Sequence, residues 1–159
     1  MQDSIRPVAQ LYGVNSGLFG RALDGLDRAA LLRRPDEGTN PLLWIAGHLT
    51  SVRYSIHGLL GPALENPWGR TFFRGSALDL TALPEIDAIR EKWDSLAPLL
   101  MERLEEATPE QLATPAPKAF PIEDRSLRGA ITFLSWHEGY HMGQMSLLRR
   151  WLGHSGLAG

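Results

Sequence analysis

The chain has 159 residues, a net charge of −2, 43% hydrophobic and 21% charged residues, and no cysteine. That size and balance fit one soluble globular domain with a substantial core. They give no electrostatic case for nucleic acid or an anionic membrane, and they exclude disulfides, thiolate metal sites and a cysteine nucleophile.

The start, Met1 to Pro7, lacks the hydrophobic segment of a signal peptide, and no apolar run approaches the roughly 20 residues needed to span a bilayer. A cytoplasmic location is the expectation. Basic residues are scattered, and Arg149-Arg150 is too short to form a nucleic-acid patch.

Taken in order, the first apolar stripe is Ile5, Val8, Tyr12, Leu18/Phe19, Ala22/Leu23 and Leu26, at helical period, with Asn15 on the same face. Ser4 is the expected cap and Pro7 is tolerated in the first turn. Gly13, Gly17, Gly20 and Gly25 each weaken this helix by up to about 1 kcal/mol. Asp27 to Arg34 reads as one short helical turn closed by Pro35.

Asn40-Pro41 predicts a second long helix, with Asn as cap and Pro at the first helical position. Its stripe is Leu42, Ile45, Leu49, Val52, Ile56 and Leu59; His48 faces inward, and the helix ends at Gly61-Pro62. His57 lies nine residues beyond His48, about 180° around the helix, and so belongs to a different face, expected to be the surface. Residues 61–83 have no period and contain Pro62, Pro67, Gly69, Gly75, Trp68 and Phe72-Phe73. A connection this long can run the length of a bundle and leave its flanking helices parallel. Its aromatics predict that it packs down.

Pro84 to Ala107 gives a third helix through Ile86, Ile89, Trp93, Leu96, Leu100 and Leu104, which Pro98 should kink or divide. Thr108-Pro109-Glu110-Gln111 is a capped turn. Ser126 caps a last helix that runs to about Leu152. With no period-2 alternation and no repeat, the expectation is an all-α four-helix bundle with a long crossover between helices 2 and 3.

The last helix carries the chemistry. Its stripe runs Leu127, Ile131, Leu134, His137, His141, Met145, Leu148 and Leu152, so two histidines take positions where leucines would be expected. Four residues apart, they project the same way, as two ligands of one metal require. An unpartnered imidazole there is costly, so each needs a hydrogen bond or a metal. The string His137-Glu138-Gly139-Tyr140-His141 matches the zinc-protease HExxH motif, but the remainder of that motif fails. After His141 the chain holds no acidic residue and only His154, and the extended form would need glycine and histidine where Gln144 and Leu147 stand. A third ligand is therefore sought upstream, on another helix.

The stretch Asn40-Pro41-Leu42-Leu43-Trp44-Ile45-Ala46-Gly47-His48-Leu49 resembles the second helix of the DinB-like superfamily. His137-Glu138-x-x-His141-x-Gly143-Gln144 resembles its last, metal-binding helix. Leu23 to Asp27 and Thr108 to Gln111 are also similar, so the resemblance spans nearly the whole chain. It implies a divalent metal on His48, His137 and His141, and commonly a homodimer. Three neutral imidazoles suit zinc or nickel, with iron or manganese also accommodated. They leave a coordination position open, as in catalytic sites. Relatives include hydrolases of amide or similar bonds, and transferases and isomerases that use low-molecular-weight thiols.

Gln144, close in phase to His141, is a candidate to orient a ligand or bound water. Glu138, about 100° from His137, points sideways, either as a general base or in a surface salt bridge. Tyr140 is a candidate donor to a substrate oxygen. Trp44 is placed to wall the pocket, and Asn15 either reaches the site or is a satisfied bundle residue. The leading expectation is a small metal-dependent enzyme, a hydrolase or thiol transferase acting on a small molecule. Its competitors are a non-catalytic metal- or ligand-binding stress-response protein, and a bundle with purely structural histidines.

Overall fold

The computed structural model describes residues 1–73 and 78–157; Gly75 lies outside them. Six helices follow in order: α1 (Arg6–Leu23), α2 (Arg28–Leu32), α3 (Leu42–Leu60), α4 (Ile86–Glu106), α5 (Pro109–Ala113) and α6 (Leu127–Trp151). No strand occurs among the described residues.

The caps show how local chemistry sets the ends. Asp27, Thr108 and Ser126 accept from the backbone N–H groups of Ala30, Gln111 and Gly129, satisfying donors that a helix start leaves free. Two expected caps are displaced. The first helix begins after Ile5, with no cap from Ser4, and α3 begins after Pro41 rather than Asn40. α1 also ends at Leu23, before the expected Leu26, because Gly25 takes a left-handed conformation (φ 73°) that glycine adopts without strain. Pro98 neither ends nor divides α4. Pro98 and Asp94, whose carbonyl loses its helical donor, are both exposed, which leaves the missing hydrogen bond on the solvent side of the helix.

Contacts fix the topology. Tyr12 donates its O–H to the Ile131 carbonyl at 3.0 Å, and Arg149 donates to Ala22 and Asp24 carbonyls, so α1 and α6 run parallel. Arg53 lies against Trp93, and Arg103 donates to the carbonyls of His57 and Pro62, so α3 and α4 are also parallel. The long crossover makes this possible. Phe72 is fully buried within it and Trp68 packs edge-on against Phe72 at 5.6 Å, so the connection does pack down.

The apolar core falls into two clusters. One contains Phe19, Leu43, Leu49, Phe72, Trp93 and Met145; the other contains Ile5, Tyr12, Ile56, Leu104 and Ile131. Each fully buried aliphatic side chain contributes about 1.5–3 kcal/mol. At their junction sits a charged pair. Arg53 and Glu138 are both 0% exposed, with Arg53 Nε and Nη2 donating to the two carboxylate oxygens at 3.0 and 2.9 Å. Tyr12 of one cluster accepts a further bond from Arg53 through its carbonyl at 3.3 Å. Trp93 of the other cluster lies 3.5 Å beneath the guanidinium and stacks on Phe19.

Candidate metal centre

His48 comes from α3, and His137 and His141 from α6, which runs antiparallel beside it. One ring nitrogen of each lies within 4.8 Å of one on each of the other two, and all three side chains are half-buried. His137 Nε2 is 3.4 Å from His48 Nε2 and 3.1 Å from His141 Nε2.

The outer nitrogens explain why the inner ones converge. His48 Nδ1 lies 2.7 Å from the Phe72 carbonyl, and His141 Nδ1 lies 2.6 Å from Gln144 Oε1. Both partners can only accept, so both Nδ1 atoms carry the proton and both Nε2 atoms present lone pairs. Those two lone pairs face the Nε2 of His137, which carries at most one hydrogen. An electron-pair acceptor placed among the three nitrogens resolves the conflict. Tetrahedral zinc, with bonds of about 2.0–2.1 Å, sets its nitrogen ligands about 3.3–3.4 Å apart. The observed separations fit that donor set. Nδ1 of His137 is buried without a protein partner.

Electrostatics point the same way. Burial pushes the pKa of His48 down, partly offset by its bond to Phe72. Burial, followed by the neighbouring imidazoles, lowers those of His137 and His141 to about 4. The rings are therefore neutral near pH 7, the form in which imidazole ligates.

The surrounding residues hold this arrangement. Trp44 stacks on His48, with centroids 5.0 Å apart and planes at 6°. A Cβ at position 47 would overlap the ring of Phe72, so Gly47 is what allows the crossover to sit close enough for its carbonyl to reach His48. Gln144, besides accepting from His141, donates from Nε2 to Tyr140 Oη at 3.1 Å, leaving the exposed Tyr140 hydroxyl its own proton to give. Gln144 also lines a cavity of about 500 Å³.

Three expectations need correction. Glu138 does point away from the histidines, but into the interior, where both carboxylate oxygens are held by Arg53; this leaves neither a surface salt bridge nor a free general base. Arg53 was the partner overlooked, although Leu49, Arg53, Ile56 and Leu60 share helical spacing and flag it as inward-facing. His57 is fully buried, its Nε2 3.2 Å from the Leu96 carbonyl, because α3 packs on α4 as well as α6 and both of its faces are covered. The third concerns the histidines, which lie at the edge of the buried face rather than on it; Ser135, Glu138 and Met142 occupy its centre. Asn15 is buried in α1 and makes none of the contacts that join the three rings.

Fold and site together describe an all-helical bundle with a three-histidine cluster open to one side. A sequence model of the DinB superfamily matches residues 17–145, and the chain belongs to that superfamily. Among solved structures, YfiT from Bacillus subtilis is similar, with a TM-score of 0.66 at 15% identity, over 98% of this chain and 91% of that one. It is described as a probable metal-dependent hydrolase with an unusual four-helix bundle topology, and at this identity the likeness shows the fold. No curated protein matches the chain.

Proposed function

We propose that His48, His137 and His141 hold a divalent metal, zinc or nickel ahead of iron or manganese, and that the protein is a metal-dependent hydrolase of a small molecule. The observation that carries this reading is the pair of fixed tautomers, which aim the lone pairs of His48 and His141 at His137. When bound, such a cation supplies Lewis acidity to a substrate carbonyl and to the water that attacks it.

The chain's own residues do the rest. The Phe72 carbonyl and Gln144 keep two rings in ligating form, and Trp44 shields one face of His48 from water. Tyr140 is placed to donate its phenolic proton to a substrate oxygen or leaving group. Glu138 is bound to Arg53 and takes no part as a base. Exposed apolar residues on α1 (Leu11, Val14) and α6 (Trp136, Tyr140) support the further reading of a homodimer, tested by sedimentation.

Metal analysis by mass spectrometry on untagged protein, beside a variant with all three histidines replaced by alanine, is the first test. About one ion per chain, lost in the variant, is the expected result. Ester, amide and low-molecular-weight thiol substrates then follow with the loaded protein. Absence of metal after reconstitution with zinc and nickel would sink the proposal. Metal without turnover would favour a binding or stress-response protein.

A further inference from the structure

The cavity of about 500 Å³ beside the histidines has the size of small-molecule sites, about 300–1,000 Å³. One side is apolar, built from Ile45 of α3 and Leu147, Leu148 and Trp151 of α6; Gln144 and loop residues within 35–40, Asp36, Thr39 and Asn40 among them, line the rest. Ile45 lies one turn before His48, and Gln144 one turn after His141. Because α3 and α6 are antiparallel, both turns lead away from the histidines in the same direction. From Gln144 to Trp151 the groove extends about 10 Å at 1.5 Å per residue.

Two features of this wall have no role in the core. Leu147 is 67% exposed and Trp151 43%, although both line the cavity. Large apolar side chains held open at a concave surface suit a ligand better than water. The guanidinium of Arg33 covers the Trp151 ring at 5.1 Å. Among the described lining residues Asp36 alone is ionisable, and with Arg33 against Trp151 the two charges offset, so the cavity carries no net positive charge to attract an anion.

We infer that this cavity receives an uncharged apolar arm of the substrate, about 10 Å long, whose reactive polar end lies at the histidines. The inference deepens the proposed metal-site reading and rests on it for the position of the reactive end. A substrate so built is a straight-chain or aryl-alkyl amide or ester rather than a highly polar or acidic metabolite.

Alkyl hydroxamic acids, from acetohydroxamate to octanohydroxamate, combine a metal-binding head with an arm of graded length. With zinc-loaded protein, calorimetry is expected to give about three- to fourfold tighter binding per added methylene, levelling off when the groove is filled. Leu147→Asp and Trp151→Ala are expected to flatten that dependence, with thermal melting reporting that both variants fold. Affinity independent of chain length, or a gain that survives both substitutions, would overturn the inference.

A second arm uses N-phenylnaphthylamine, an uncharged dye, on metal-free protein. Its fluorescence should rise on binding and lose that rise in Leu147→Asp. Dye binding of this kind in a protein that never takes up metal leaves the cavity standing and removes the metal site. Zinc uptake with acetohydroxamate binding, but no response from dye or chain length, does the reverse.

Discussion

Two polar constructions join α3 to α6, and they are built on opposite principles. Arg53 and Glu138 are fully buried, oppositely charged and bidentate, with an aromatic face and a backbone carbonyl taking up most of what remains. His48, His137 and His141 are half-buried and uncharged, with lone pairs turned toward one another. Glu138 is the immediate neighbour of His137, so position along α6 does not separate the two. In the first, charge meets opposite charge and only Arg53 Nη1 is left without a partner, so the pair holds the bundle together. A group that leaves convergent lone pairs unmatched at the rim has something to bind.

The largest effect should come from opening the closed construction. Arg53→Met or Glu138→Leu alone leaves one buried charge uncompensated and is expected to cost about 3–5 kcal/mol in urea unfolding. The double substitution should recover most of that loss. Equal losses in all three variants would show that the charges are not what the pair contributes.

Next in size is the ligand linkage of the open construction. At a free zinc concentration about 100 times Kd, wild-type protein should gain about 2.7 kcal/mol of stability, and His48→Ala should gain essentially none. Calorimetric melts with and without metal read this directly. Gln144→Leu removes the acceptor that fixes the His141 tautomer while keeping the fold; metal affinity should fall about 10- to 100-fold. An unchanged affinity would reduce Gln144 to a wall of the cavity.

A further effect, spread over three rings and several pH units, is the acid response of the metal-free protein. His57, His137 and His141 titrate near pH 4 when folded, chiefly because burial disfavours the charged ring, and near 6.5 when unfolded. The unfolded chain therefore binds protons first as pH falls. Stability should be full above about pH 6.5 and decline toward pH 4, by up to about 3 kcal/mol per ring for shifts of this size. His57→Phe should shallow this decline without changing metal binding, because His57 faces α4 rather than the cluster. A pH-independent midpoint between 7 and 4 would contradict it.

Much of this was legible along the chain because it is local. Helical period placed four long helices, Thr108 and Ser126 announced their caps, and the four-residue spacing put His137 and His141 on one face. The resemblance carried by Asn40 to Leu49 brought in His48. Less local features were misread. Pro98 does not divide α4, the second of the two outcomes expected of it, and Pro98 and Asp94 both lie on the exposed side of the helix. His57 was assigned to solvent because a helix was credited with one buried face, and α3 has two.

The sequence by itself determined an all-α bundle with a long crossover and three histidines of metal-ligating type, since periodicity and side-chain chemistry are properties of short stretches. Tertiary structure decided the rest. It set the Phe72 carbonyl against His48 across 24 residues, and paired Arg53 with Glu138 across 85. It also opened the cavity between Ile45 and Trp151. The reason is physical: a hydrogen bond or a pocket wall depends on which groups packing brings within about 3 Å, and no pattern along one helix specifies its neighbour.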